Sequence, residues 1–270
     1  MKQMSSSFEV YASRIPFPEG PVFDSQGNLF VCARRNGYIV KVTPDGKVHH
    51  FVDTGGKPNG LAIDQRDNLY VADTVRKEIL VVDPMGAVDV FISKDWGQTL
   101  LVGPNDLCFG SSGALYFTDP GLSMDMPDGA VYCFHPSKSE QQSLASKLPF
   151  PNGLAVTPDE KTLYFVESVT DRLYATEINS DLAAVPHLIC EFGNDTIPDG
   201  VKWFDEQHLV VAGHRAGALV MVDITAATQR VIRMPNSSKP TNLVIHQDRV
   251  YVTDDATQAV LVAPLSSLQV

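Results

Sequence analysis

The sequence predicts an all-β protein: a six-bladed β-propeller with four antiparallel strands per blade, its ring closed by the N-terminal strand. Three observations predict it. One phrase recurs six times, strand-length apolar runs follow each copy, and no stretch carries a sustained helical period. The phrase is a Pro-polar dipeptide entering an apolar segment. It reads PEGPVFD at Pro18, PNGLAID at Pro58, PNDLCFG at Pro104, PNGLAVT at Pro151, PDGVKWF at Pro198 and PTNLVIH at Pro240. Successive starts lie 40, 46, 47, 47 and 42 residues apart, the length of a four-stranded blade.

Each innermost strand is followed by a second: NLFVCA, NLYVADT, ALYFTDP, TLYFVES, HLVVAGH and RVYVTDD. Val, Tyr, Phe and Leu dominate these runs, and Gly, Asp and Pro punctuate them, as antiparallel hairpins require. A third strand follows in GYIVKVTPDG, EILVVDPMG, GAVYCFHP, DRLYATEI, GALVMVDI and QAVLVAPL. A weaker fourth closes five copies: VHHFV, VDVFI, QQSLAS, HLICEF and QRVIRM. The sixth copy reaches Val270 without one, and the spare segment FEVYA at Phe8–Ala12 is expected to supply it, which protects an exposed edge. Residues 1–270 thus read as one domain.

Composition narrows the function. A net charge of −11 without a Lys/Arg cluster argues against nucleic acid or an anionic membrane as partner and leaves a small-molecule substrate. The N-terminal MKQMSSSFEV has no apolar signal-peptide region, and no run is long enough to span a bilayer. Cys32, Cys108, Cys133 and Cys190 show no metal spacing, and three lie in apolar strand runs. Buried reduced thiols and a cytoplasmic location are expected.

In a propeller the innermost strands line the channel and run the same way, so the residue after each Pro falls on one face. These residues are Glu19, Asn59, Asn105, Asn152, Asp199 and Thr241. Asn and Asp suit tight turns, but Glu19 does not, and two carboxylates sharing a channel need a cation or protons to offset them. An oxygen-only set suits a hard divalent ion. Calcium is the first expectation, with Zn2+, Mn2+ or Mg2+ as replacements.

These phrases resemble the SMP-30/gluconolactonase/luciferin-regenerating-enzyme family, over nearly the whole chain from FPEGPVF to VYVTDD. PEGP, GPND, FPNGLAVTPDEKTLYFVES and PDGVK carry the likeness. The resemblance implies a catalytic divalent metal, usually calcium, held by Glu19, Asn152 and Asp199. It also implies that Asn105 contacts substrate or a metal-bound water. Animal members and sugar lactonases often carry Arg two residues before that Asn. Gly103 stands there in this chain, so an aldonolactone specificity is not carried over.

The expected activity is metal-dependent opening of a lactone, with Asp199 as first candidate for the base and a neighbouring carboxylate as its rival. The alternatives are a phosphotriesterase on the same site, a binding protein without catalysis, and a condensing enzyme using a channel acid without metal. Asn59, Asp119 and His214 are further substrate-binding candidates. Asp119 shares its position with Asp73, Glu167 and Asp254, which also suits a repeated structural hydrogen bond. His214 follows Gly213, where that acidic position is lost. The loop DPGLSMDMPDG, Asp119–Gly129, is expected to form a partial apolar lid or a surface insertion.

Overall fold

The computed structural model describes residues 7–97, 99–138, 140–178, 185–193 and 195–269. Six four-stranded antiparallel sheets form the predicted blades. Their innermost strands are Pro18–Phe23, Pro58–Ile63, Leu107–Phe109, Pro151–Val156, Pro198–Trp203 and Pro240–His246. In blade 6 the order ends on Glu9–Ser13, which pairs antiparallel with Ala259–Pro264 and closes the ring as FEVYA suggested.

The core is a set of layers between neighbouring blades. Ala12, Ile15, Val31 and Val260 fill the junction of blades 6 and 1, and Ile79, Leu107, Leu115 and Phe117 that of blades 2 and 3. Both faces of a second strand meet such a layer. That is why LFVCA is buried throughout instead of alternating. Outermost strands such as Val48–Asp53 are largely exposed, which accounts for their weak apolar signal. The four cysteines are free thiols; Cys32, Cys133 and Cys190 are buried and Cys108 partly so. Among the described residues no helix is long and apolar enough to cross a membrane.

Two features depart from the repeat. A two-stranded hairpin, Asp95–Trp96 with Thr99–Leu100, precedes blade 3 and sets Trp96 edge-on to Tyr132 and Phe134. Blade 3 also has a short innermost strand, and Asp106 N–H, just before it, donates to the Thr118 hydroxyl at 3.2 Å.

In blades 2, 3 and 6 the acidic residue ending the second strand clamps the loop that leads into its own blade. Asp73 Oδ1 accepts from the N–H groups of Lys57, Val75 and Arg76 at 2.8, 3.2 and 3.0 Å, and Oδ2 accepts from Thr54 Oγ1 at 2.7 Å. Asp254 accepts from Lys239 N–H and from Thr257 Oγ1. In blade 5, where Gly213 removes the acid, Asp171 of blade 4 takes the N–H groups of Asp195 and Ile197 at 3.0 and 2.7 Å. Asp73→Ala should therefore strand several donors and lower the unfolding free energy by about 3 kcal/mol in a urea titration.

Candidate functional site

The connections into each innermost strand, and those between second and third strands, share one face, the mouth of the channel. Each innermost strand begins there, and in blades 1, 2, 4, 5 and 6 an irregularity in strand register follows the opening Pro or the residue after it. The residue two places after Pro turns toward the neighbouring blade. A Cβ on Gly153 would sit 2.2 Å from the Asp199 carbonyl oxygen and 2.6 Å from Val201 N. One on Gly20 would sit 2.4 Å from the Asn59 carbonyl oxygen. Gly60 and Gly200 fill the same position, and only blades 3 and 6 place a side chain there, Asp106 and Asn242.

Glu19 is buried at 3% exposure, and Asp199 is partly buried and more accessible. The fold brings them together. Burial raises the proton affinity of Glu19, and nearby Asp106 adds to the rise, while a hydrogen bond from Gly20 N–H at 2.7 Å opposes it. Asp199 is pushed well above the usual carboxylate range by burial, then by Glu19 and Asp106. Arg34, stacked 5.3 Å over the Phe17 ring, is the cation that lowers both.

Asn152 is 6% exposed, and its Nδ2 donates to Ser168 Oγ at 3.0 Å. That hydroxyl spends its only hydrogen on the Pro198 carbonyl at 2.7 Å, so it must accept from the amide. The orientation of Asn152 is thereby fixed, with Oδ1 turned away from Ser168. The same amide favours the charged form of the Asp199 carboxylate. Asn59 donates to the Asn105 carbonyl at 3.2 Å, tying blade 2 to blade 3. Asn105 is partly buried at the channel wall. Thr241 is spent on the fold: its hydroxyl donates to the Pro18 carbonyl at 2.7 Å and meets Thr253 Oγ1 at 2.8 Å.

Asp119 lies at the mouth with its carboxylate taken by the N–H groups of Val102, Gly103 and Gly121 at 2.7, 3.0 and 3.2 Å. It performs the loop clamp seen at Asp73. His214 is partly buried, its Nε2 enclosed without a hydrogen-bond partner; burial lowers its pKa while Asp255 opposes the shift. A Cβ on Gly103 would meet Thr74 Cγ2 at 3.1 Å and the Thr74 carbonyl oxygen at 3.3 Å, so a long side chain there is crowded. The mouth is two-sided. Val75, Leu122, Met124, Met126 and Val169 expose apolar surface on blades 2 to 4, whereas Arg34, Arg35, His214 and Asp255 occupy the side of blades 5, 6 and 1.

Sequence reasoning missed Asp106, Asn242, Lys202, Arg34 and Ser168. A signal for the first two was present, since PNDL and PTNL break the glycine of PEGP, PNGL and PDGV. Among the described residues no three Asp, Glu, His or Cys side chains are grouped as metal ligands, so an ion held here would draw on carboxamide oxygens as well. The donor set fits a hard cation: two carboxylates that burial and repulsion disfavour as anions, beside an oriented amide.

Residues 17–255 match the sequence profile of the SMP-30/Gluconolactonase/LRE-like region. A gluconolactonase of Zymomonas mobilis is 30% identical over 188 residues, 61% of this chain and 52% of that enzyme, so the match spans about half its length. A gluconolactonase structure from Xanthomonas campestris superposes with a TM-score of 0.82 at 22% identity, covering 95% of this chain and 89% of that one. The calcium-binding protein regucalcin from Agrobacterium tumefaciens does so at 0.78 and 19% identity, covering 94% and 92%.

The packing behind this site predicts that Gly153→Ala is severely destabilising. It should cost at least about 3 kcal/mol, because the new methyl group meets backbone that cannot rotate away. Gly103→Ala should cost much less, and thermal melts of the two variants compare them directly.

Proposed function

The chain belongs to the SMP-30/gluconolactonase/LRE-like family, and on that premise we propose that it is a hydrolase opening lactones with a divalent cation, calcium first, at the channel mouth. The observation that carries this reading is the pairing of Glu19 and Asp199 in one channel beside an Asn152 amide locked by Ser168. Glu19, Asp199 and Asn152 Oδ1 would hold the ion. When bound, such a cation polarises a carbonyl as a Lewis acid.

The chain's own residues supply the rest. Asp199 is the more open of the two carboxylates, and that access recommends it as the base taking a proton from the attacking water. Burial and Glu19 raise its proton affinity, the direction a base needs; a cation would oppose that rise, so access weighs more than pKa. Asn105 borders the channel where it would orient the substrate carbonyl. Arg34 is a fixed cation near both carboxylates and would favour an anionic product.

The two-sided mouth favours a lactone bearing an apolar substituent over a polyhydroxylated one. Leu122, Met124 and Met126 offer apolar area, 70%, 45% and 49% exposed, and Thr74 crowds the position of Gly103. A substituent laid across that surface gains about 25 cal/mol per Å2 covered.

The test is a panel of alkyl-substituted lactones, gluconolactone and phosphotriesters assayed with calcium, with chelator and with Glu19→Gln. Alkyl lactones should be turned over at least tenfold better in kcat/KM than gluconolactone. Chelator should abolish the activity, and Glu19→Gln should lower it by at least about 100-fold. Turnover indifferent to both chelator and Glu19→Gln would sink the metal reading. Preference for phosphotriesters would move the substrate class, and no turnover of any ester would leave a binding protein.

A further inference from the structure

Asp106 and Asn242 stand on blades 3 and 6, opposite each other in a ring of six, and both are 2% exposed. Asn242 Nδ2 donates to Asp106 Oδ2 at 3.3 Å across the axis. The Asn242 amide has no freedom to flip, because Leu243 N–H donates to its Oδ1 at 2.8 Å. Glu19 lies beside it: the preceding residue, Thr241, ties this strand to the Pro18 carbonyl at 2.7 Å, and the Asn242 amide favours the charged form of the Glu19 carboxylate. Asp106 is held in turn: Oδ1 accepts from Leu107 N–H at 2.9 Å, and Lys202 Nζ of blade 5 lies 3.7 Å from Oδ2. A polar chain, Lys202–Asp106–Asn242–Glu19, therefore crosses the channel and links blades 5, 3, 6 and 1.

We propose that Asn242 is a positioning residue: its amide, anchored by Asp106 and Lys202, fixes the Glu19 carboxylate for cation binding. The proposal rests on the reading of Glu19 as a ligand. Glu19 Oε2 already accepts from Gly20 N–H, and Asn242 adds a second restraint from the neighbouring blade. Without it the carboxylate is held by its own strand alone. Lys202 offsets the charge of Asp106, which lets a third carboxylate sit below the pair without competing for the ion.

The experiment measures calcium affinity of metal-free protein by calorimetry for wild type, Glu19→Gln, Asn242→Ala and Lys202→Met. A melt of each variant and a crystal structure of Asn242→Ala accompany it. Asn242→Ala should weaken calcium binding 10- to 100-fold, the usual effect of removing a group that orients a ligand, and the Glu19 carboxylate should leave its position. Lys202→Met, acting through Asp106, should weaken binding by a smaller factor. A folded Asn242→Ala with wild-type affinity, or with Glu19 unmoved, overturns the proposal even where its Tm has dropped, since a merely structural plug predicts that result. If Asn242→Ala does not fold, Lys202→Met decides, and unchanged affinity there overturns it. Wild type that binds no calcium overturns the ligand reading instead, while the position of Glu19 in Asn242→Ala crystals still decides this one.

Discussion

Everything at the centre of this molecule depends on how closely its innermost strands approach one another. Gly153 lies so near the backbone of blade 5 that a single methyl group would overlap the Asp199 carbonyl. Strands packed at that separation bring the side chains they project close to one another. A propeller with looser inner strands would place the same residues apart, each solvated and each ordinary. Here the packing of apolar layers between blades provides the driving force, and the charged centre is carried along by it.

That geometry forces an electrostatic problem on the chain. Glu19, Asp199 and Asp106 come within range of one another out of water, where like charges repel strongly and desolvation is unfavourable. The chain meets part of it with Lys202 beside Asp106 and with Arg34 near the other two. A hydrogen bond from Gly20 and the nearby amides of Asn242 and Asn152 meet another part. What remains uncompensated is concentrated on Glu19 and Asp199. Carboxylates elsewhere are handled differently: Asp73, Asp119 and Asp254 are spent on backbone N–H groups and hold loops. The contrast separates acids that build the ring from the pair proposed to hold a cation.

Much of this was legible before any coordinates. The six Pro-polar phrases marked the innermost strands, and FEVYA marked the closing strand, because both are local patterns set by turn chemistry and strand burial. Glu19 stood out as the odd residue in that pattern, and Glu19, Asn152 and Asp199 together by their likeness to a known family. Asp106 and Asn242 were passed over although they break the glycine of the repeat. Ser168 and Arg34 carried no signal, as neither belongs to the repeated phrase.

The sequence by itself determined the number of blades and their order, because hydrophobic period and turn residues act over a few positions. Only the tertiary structure decided which residues meet. Thr241 was drawn into a bond with Pro18, 223 positions away, and Asn242 into one with Asp106, 136 away. Such pairings follow from the closure of a ring, and the distance between two blades across an axis is not written in either blade's own residues.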